Sequence, residues 1–203
     1  MPSKRSGAKR RAEPSRGFRR AVVAPSRLWR RCLPSLRHTD RLGRAIGSLL
    51  EGGESLALFG MLGAGKTALV RGIASGLGAS PQTVSSPTFV LLHEYRGRLP
   101  LAHIDLYRLN SAKEATSIGL EDYLSGPTVV AIEWADKAPG ILPDDRLELE
   151  LRHRTVQSRS VELRATGPMS AALLARLKRA TMLQNKRPRS RQPLRNLRGI
   201  SRS

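Results

Sequence analysis

The chain of 203 residues has one cysteine, few aromatic residues (4%) and no long apolar run. A single cysteine, Cys32, excludes an intrachain disulfide and indicates a reducing compartment. No apolar stretch approaches the roughly 18–20 residues that a membrane-spanning helix needs. The apolar core of a signal peptide is missing as well. We therefore expect a protein that does not enter a membrane and that works in the cytoplasm.

Acidic residues are nearly absent from both ends of the chain, although the formal net charge is +20. Residues 1–37 carry 12 Lys/Arg and one acid, and residues 170–203 carry ten Lys/Arg and no acid. Residues 38–169 are near neutral, with 14 basic and 15 acidic residues. The basic charge therefore belongs to two tails, which argues against treating the whole surface as a nucleic-acid face. The Arg- and Ser-rich N-terminal tail is also typical of an organellar transit peptide.

A short apolar run at 56–59 leads into the pattern Gly-x-x-x-x-Gly-Lys-Thr at 60–67, which predicts a phosphate-binding loop between a strand and a helix. The glycines let backbone N–H groups turn onto phosphate oxygens. Lys66 can reach the β- and γ-phosphates, and the Thr67 hydroxyl can ligate Mg²⁺. The residues assigned to the nucleotide are Gly60, Met61, Leu62, Gly63, Ala64, Gly65, Lys66, Thr67 and Ala68.

Two predicted strands end in a carboxylate, because Asp105 closes 101–105 and Glu133 closes 129–133. In open α/β sheets the ligand lies beyond the carboxyl ends of the strands. Nucleotide hydrolysis depends mainly on positioning and electrostatics, and it needs acids near the metal. We therefore predict that both acids act at the nucleotide site. The alternative for each is a solvated or capping acid at a strand end.

Strands and helices alternate around the phosphate loop, which predicts an α/β fold. A helix that begins with Thr39 as N-cap precedes the loop. Residues 89–106 have the pattern of a hairpin, so the central sheet should be mixed and flanked by helices. Further strands are predicted at 128–132, 146–151 and 160–164, and helices after Ser111 and at 120–124 and 171–179. The predicted organisation is a basic disordered extension at 1–32, a P-loop domain at 33–168, and a helix with a basic disordered tail at 169–203.

Four further side chains near these acids have both a structural and a functional interpretation. Thr88 could place a hydroxyl near the γ-phosphate, but a hydroxyl at the end of a turn is as often a cap. His103 alternates with Asp105 along one strand, and we expect it to pack rather than to catalyse. Trp134 could stack on a base, although a lone Trp after a buried strand usually belongs to the core. Arg108 could contact phosphate or a partner, or lie at the surface.

Six short motifs follow one another along the chain. They are Gly60-x-Leu-Gly-Ala-Gly-Lys-Thr67, Ser86-Pro-Thr-Phe89, Glu94-Tyr95, His103-x-Asp-Leu-Tyr-Arg-Leu109, Gly119-Leu-Glu-Asp-Tyr-Leu124 and Ile132-Glu-Trp134. Together they resemble the TsaE family, the ATPases of the bacterial tRNA threonylcarbamoyladenosine pathway. The resemblance covers about residues 33–165 and leaves both tails outside.

The resemblance implies a small ATPase that binds ATP and Mg²⁺ and works with the proteins TsaB and TsaD. Those partners install the threonylcarbamoyl group on tRNA, and ATP hydrolysis is thought to reset their complex between turnovers. By position, Lys66 binds phosphate, Thr67 and Glu133 serve the Mg²⁺, and Asp105 is the family's essential acid. tRNA is expected to be reached through the complex, and the basic tails are a second candidate contact.

Thr39 matches a hydroxyl position on the nucleotide side, and Trp134 matches a position near the nucleotide. The chain departs from the family pattern at two loop positions. Met61 stands where the family usually has Asp, and Ala68 stands where it usually has a second Thr. The first change removes a negative charge and the second removes a hydroxyl. We expect binding to survive, and the departures to bear on hydrolysis and on contacts with partners.

Two other functions remain open at the level of sequence. A small-molecule kinase on a P-loop scaffold would need an acceptor pocket and an Arg-rich lid, and only Arg108 is available between Asp105 and residue 146. A nucleic-acid-binding protein with an accessory nucleotide site would act through salt-sensitive phosphate contacts of its tails. The tails could equally be solvated extensions. A GTPase is disfavoured because the guanine-binding pattern Asn-Lys-x-Asp is absent.

Overall fold

The computed structural model describes residues 27–80, 86–88, 90–109, 114, 119–124 and 126–186. Its strands are β1 (Leu28–Leu33), β2 (Ser55–Phe59), β3 (Leu92–Tyr95), β4 (Leu101–Asp105), β5 (Val129–Glu133), β6 (Leu147–His153) and β7 (Arg159–Ala165). Its α-helices are α1 (Leu36–Leu49), α2 (Lys66–Gly76), α3 (Leu120–Leu124) and α4 (Pro168–Lys186). Short 3₁₀ turns follow β5 at Ala135–Lys137 and Pro139–Ile141.

The described strands form one sheet in the order β1-β7-β6-β2-β5-β4-β3. The four central strands β6, β2, β5 and β4 run parallel, whereas β3 pairs antiparallel with β4, and β7 and β1 extend the other edge antiparallel. The predicted mixed α/β sheet and the predicted hairpin are therefore confirmed. Because β4 and β5 are parallel and in register, Asp105 lies opposite Glu133 at their carboxyl ends.

Apolar side chains on both faces of the central strands build two cores. In β5, Val129 and Ala131 belong to the core beneath α1, α2 and α4, and Val130 and Ile132 belong to the core on the other face. That second core includes Leu120 from α3. The strand predicted at 128–132 is thus buried on both sides, as its β-branched composition indicated.

Helices α1 and α2 touch through their backbones. Gly43 and Gly47 of α1 face Gly72 and Gly76 of α2, and a Cβ built on any of the four would lie 2.2–2.4 Å from a carbonyl oxygen of the other helix. No side chain fits in that space. The glycines, each pair four residues apart, therefore let two helices approach more closely than side chains would allow.

The structure differs from the sequence-based expectation at both ends of α1. Thr39 was predicted as the N-cap, and this is wrong: α1 begins at Leu36 after Ser35, and Thr39 is buried inside the helix. The strand β1 was not predicted, and it starts before the predicted domain boundary at residue 33. Its residues pair with β7, from Leu28 opposite Arg164 to Leu33 opposite Arg159.

Helix α4 closes the fold against β7 and α1. At its start, the carboxylate of Asp145 accepts hydrogen bonds from the backbone N–H of Met169 (2.7 Å) and of Ser170 (2.9 Å). Burial raises the pKa of the Asp145 carboxyl, but these bonds and the nearby Arg27 outweigh that effect and leave the pKa below its ordinary value. Asp145 therefore caps α4 as a charged group.

Several predictions concern residues that the structure does not describe. Disorder was predicted for the extension at 1–32, but residues 28–32 belong to strand β1. The rest of that extension at 1–26, the predicted tail at 187–203, the cap at Ser111 and the hairpin residue Phe89 lie outside the described residues. Within the described part of the chain, no helix is long and apolar enough to cross a membrane.

Candidate nucleotide-binding site

The predicted phosphate loop connects β2 to α2, and its glycines adopt conformations that other residues avoid. Gly60 has φ 133° and Gly65 has φ 104°. A Cβ on Gly60 would lie 2.3 Å from the carbonyl oxygen of Leu151 on the neighbouring strand. A side chain at this position would therefore collide with the sheet as well as strain the backbone. The sequence places glycine where the loop turns away from β2.

The loop borders a cavity of about 290 Å³. Five elements of the chain meet there: the loop, the first residues of α2, the turn at 86–88, and the ends of β4 and β5. Of the predicted site residues, Leu62, Gly63, Gly65, Lys66, Thr67, Ala68, Asp105, Glu133 and Trp134 line this cavity. Residues far apart in sequence thus converge at the carboxyl ends of parallel strands, where α/β proteins bind ligands.

Lys66 is nearly buried, at 4% exposure. Its ammonium donates to the carbonyl oxygens of Gly60 (2.6 Å) and Met61 (3.2 Å) and lies 3.5 Å from the ring centroid of Trp134. Burial lowers the pKa of Lys66, while the negative charges of Glu133 and other nearby acids oppose that shift. The positive charge is therefore held at the mouth of the loop by carbonyl dipoles and an aromatic face.

A chain of hydrogen bonds runs from α2 across the sheet. The Thr67 hydroxyl donates to Oε2 of Glu133 (3.1 Å), and Nε2–H of His103 donates to Oε1 of the same carboxylate (2.8 Å). His103 is fully buried, as predicted, but its polar contact with Glu133 was not predicted. Nδ1 of His103 has no hydrogen-bond partner among the described residues. Both oxygens of Glu133 are thus oriented, one by the loop helix and one by β4.

The donors at this place fit a magnesium ion. Hydroxyl and carboxylate oxygens, such as those of Thr67 and Glu133, are ligands that Mg²⁺ accepts in octahedral sites with phosphate and water. No cluster of three or more His, Cys, Asp or Glu side chains suited to a metal occurs in the described residues. The chain therefore offers a partial magnesium site, of the kind that a nucleotide phosphate completes.

Asp105 accepts three hydrogen bonds at the opposite side of the cavity. Ser86 (2.7 Å) and Thr88 (2.6 Å) both donate their hydroxyls to Oδ2, and the backbone N–H of Tyr107 donates to Oδ1 (2.9 Å). Asp105 is only 1% exposed. The Ser-Pro-Thr turn therefore fixes the carboxylate of Asp105, and Thr88 both contacts this acid and borders the cavity.

Trp134 follows β5 in a strained conformation, with φ 56°. Its ring lies 4.9 Å from that of Tyr107, centroid to centroid, and both rings border the cavity. The Lys137 ammonium donates to the Tyr107 carbonyl oxygen and holds the segment after β4 to the 3₁₀ turn after β5. Non-glycine residues with positive φ are uncommon, and they persist where surrounding contacts enforce them.

Three predicted loop residues do not border this cavity. Gly60, Met61 and Ala64 line a different cavity, of about 330 Å³, on the other side of the loop with residues of β6. The Met61 side chain is 79% exposed. Its replacement of the usual acid therefore changes the outer face of the loop more than the cavity itself.

Thr39 lies near the loop although it does not line the cavity. Its Cγ2 lies 3.8 Å from the position that a Cβ on Gly65 would take. The Nε atom of Arg159, from β7, lies 3.7 Å from the same position. Both Thr39 Oγ1 and Arg159 Nε are buried and lack a hydrogen-bond partner among the residues described. Arg159 was not predicted, since it is the first residue of a late strand and nothing around it in sequence links it to the loop.

The fold and the site together define a P-loop protein of the nucleoside-triphosphatase type. A glycine loop leads from a central parallel strand into a helix, and a lysine, a threonine and two acids surround one cavity. The family model described as "Threonylcarbamoyl adenosine biosynthesis protein TsaE" matches residues 33–161. The chain belongs to the TsaE family.

Individual relatives agree with the family match. The chain is 42% identical over 123 residues to the tRNA threonylcarbamoyladenosine biosynthesis protein TsaE of Treponema pallidum, covering 60% of this chain and 90% of that protein. It is 34% identical over 158 residues to the Bacillus subtilis protein of the same name, covering 77% and 97%. A crystal structure of YdiB from Bacillus subtilis superposes with a TM-score of 0.65 at 29% identity, covering 76% of this chain and 96% of that one.

Proposed function

We propose that this protein binds ATP with Mg²⁺ and hydrolyses ATP during the formation of threonylcarbamoyladenosine in tRNA. The observation that carries the proposal is the convergence of Lys66, Thr67, Asp105 and Glu133 on one cavity, in a member of the TsaE family. The relatives named as threonylcarbamoyladenosine biosynthesis proteins support the choice of pathway.

The phosphate loop and Lys66 bind the phosphates in this proposal. Backbone N–H groups of the loop and the N-terminal end of α2 attract the anion. The Lys66 ammonium exchanges its hydrogen bonds to the Gly60 and Met61 carbonyls for phosphate oxygens, at little cost because it is already desolvated. The Trp134 ring beneath it keeps the charge directed into the cavity.

Thr67 and Glu133 hold the metal. When bound there, Mg²⁺ would supply positive charge beside the phosphates. The task of the chain is to present the hydroxyl and the carboxylate in fixed positions, and the His103 hydrogen bond to Glu133 serves that purpose.

Asp105 positions the attacking water in this proposal. Both hydroxyls of the Ser-Pro-Thr turn donate to one of its oxygens, which leaves lone pairs of a fixed, buried carboxylate directed at the cavity. Phosphoryl transfer needs an oriented nucleophile more than a strong base, so a carboxylate of this kind suits the role.

Thr39 and Arg159 contact the nucleoside part of ATP. Both lie beside Gly65, and each holds a buried polar atom that lacks a partner among the described residues. Buried polar atoms of this type usually have a hydrogen-bond partner in the functional complex. The ribose hydroxyls and the adenine ring offer such partners.

The partners in this proposal are TsaB and TsaD, which carry out the transfer to tRNA in the cytoplasm. We expect weak ATP hydrolysis by the protein alone and a clear increase when TsaB and TsaD are added. An unchanged rate would contradict the partner-dependent function. Complementation of a bacterial strain that lacks its TsaE, followed by nucleoside analysis of its tRNA, tests the pathway directly.

The nucleotide site itself is tested by Lys66→Ala. This change removes the only ammonium that borders the cavity among the described residues, and we expect nucleotide binding to be lost. The matched control is Lys178→Ala, on α4, where the ammonium donates to the Leu28 carbonyl oxygen instead (2.9 Å). Tight ATP binding by Lys66→Ala, measured by calorimetry, would overturn the assignment of the loop.

A further inference from the structure

A second cavity, of about 260 Å³, lies between β1, α1 and α4. Its walls include Trp29 and Arg31 from β1, His38 and Arg41 from α1, and Thr181 from α4. It shares no lining residue with the candidate nucleotide site. The side of α1 that borders it is not the side where Gly43 and Gly47 contact α2. This cavity, called here the β1 cavity, is therefore a separate feature of the fold.

The β1 cavity combines an aromatic ring with cations that lack acidic partners. The Arg31 guanidinium carbon lies 5.2 Å from the centroid of the Trp29 ring. Arg31 and Arg41 form no ion pair with an acid among the described residues, whereas their neighbours do: Arg30 pairs with Glu162 (2.5 Å) and Arg44 with Asp40 (2.7 Å). The positive charge at the cavity is therefore not neutralised by the protein.

Both basic tails join the fold beside this cavity. Trp29 lies two residues after the first described residue, and Thr181 lies five residues before the end of α4, which is about 7.5 Å along the helix. Residues 1–26 carry eight Lys/Arg and one acid, and residues 187–203 carry six Lys/Arg and no acid. The strongest positive charge of the chain is thus attached at the cavity rim, which favours a polyanionic ligand.

We propose that the β1 cavity binds single-stranded RNA: the Arg31 guanidinium leaves the Trp29 ring to bind a phosphate, a base stacks on the ring in its place, and Arg41 binds a flanking phosphate. Stacking on an aromatic ring beside cationic side chains is the usual way in which proteins hold unpaired nucleotides. Double-stranded RNA keeps its bases stacked inside the helix, so it could use the arginines but not Trp29. The inference goes beyond the ATPase function, because RNA binding here needs neither ATP nor the partner proteins.

The test measures RNA binding by the full-length chain, without ATP, from the fluorescence anisotropy of a labelled, unstructured 16-nucleotide RNA at several salt concentrations. We expect Arg31→Ala/Arg41→Ala to weaken binding at least tenfold. The slope of log affinity against log salt should fall by about 1.4, because two phosphate contacts are lost. The control Arg96→Ala/Arg154→Ala removes the same charge from exposed positions outside the cavity, and it should weaken binding by less than threefold.

Substitutions of Trp29 test the contribution of base stacking separately from that of charge. We expect Trp29→Leu to weaken single-stranded RNA binding at least fivefold, Trp29→Phe to retain most of it, and neither change to affect a duplex of equal length. Circular dichroism and ATP binding establish that each variant is folded. Equal losses in both double-arginine variants would mean that RNA responds to overall charge, and unchanged affinity in both would mean that the tails bind RNA without the cavity; either result would overturn the proposal. So would an unaffected Trp29→Leu, or binding to anionic lipid vesicles that needs these arginines while RNA binding does not.

Discussion

Replacing His103 tests whether Glu133, the proposed metal ligand, depends on a buried neighbour. His103 donates through Nε2 to Oε1 of Glu133 at 2.8 Å, and both side chains are shielded from water, at 0% and 2% exposure. A hydrogen bond to a charged group contributes about 1.5–3 kcal/mol. Loss of a group that orients a metal ligand lowers metal affinity by about ten- to a hundredfold. His103→Leu removes the donor, whereas His103→Gln places an amide N–H near the position of Nε2.

The assay is a magnesium titration of the binding of a fluorescent ATP analogue. We expect the half-saturating Mg²⁺ concentration to rise about ten- to a hundredfold in His103→Leu and to rise much less in His103→Gln. Nucleotide binding in the presence of a chelator should be similar in all three proteins, since Lys66 and the loop are untouched. An identical magnesium dependence for His103→Leu and the unmodified protein would refute the role of this hydrogen bond.

Three further substitutions test the loop residue Gly60, its unpredicted neighbour Arg159 and the Asp145 cap of α4. Gly60→Ala places a Cβ 2.3 Å from the Leu151 carbonyl oxygen, so thermal unfolding should show a loss of more than about 2 kcal/mol together with lost ATP binding; an unchanged melting temperature would contradict this. Arg159→Met should weaken ATP binding by about ten- to a hundredfold, the effect of losing one hydrogen bond that involves a charged group, and equal affinity in calorimetry would remove Arg159 from the site. Asp145→Asn keeps a side-chain acceptor but removes the negative charge, and it should cost about 0.3–1 kcal/mol at pH 7, the usual effect of an anion at a helix N-terminus. Because the folded pKa of Asp145 is depressed, its contribution is complete above the unfolded pKa and is lost as the pH falls through the folded pKa. The stabilities of the two proteins, measured by denaturant unfolding, should therefore converge as the pH falls through the folded pKa of Asp145, and a difference that stays constant into the acid range would argue against the charged cap.

The sequence predicted the parts of the site that local patterns specify. The loop at 60–67 and the acids that end β4 and β5 lie where apolar strands stop, and a parallel sheet brings such ends together. The buried strand β5 and the hairpin of β3 and β4 follow from composition and periodicity in the same way. Each of these features depends on residues close in sequence.

The remaining features depend on contacts between distant residues. His103 has the same apolar surroundings as a core residue, and only the register between β4 and β5 brings it to Glu133. Arg159 reaches the loop because β7 pairs with β6, and β6 lies beside β2, the strand that leads into the loop. The predicted cap at Thr39 is wrong because α1 starts one turn earlier: the Ser35 carbonyl oxygen accepts a hydrogen bond from the backbone N–H of Thr39, and the Thr39 side chain is buried. No single stretch of the chain carries this information.

The backbone contact between α1 and α2 has a thermodynamic consequence. The four glycines leave no side chains between these helices that could rearrange, so we expect the two helices to move together. One helix begins at the phosphate loop and the other borders the β1 cavity. Any displacement of α2 by a nucleotide is then transmitted to the arginine on α1. If ATP binding changes the affinity for RNA by some factor, thermodynamic linkage requires RNA binding to change the affinity for ATP by the same factor.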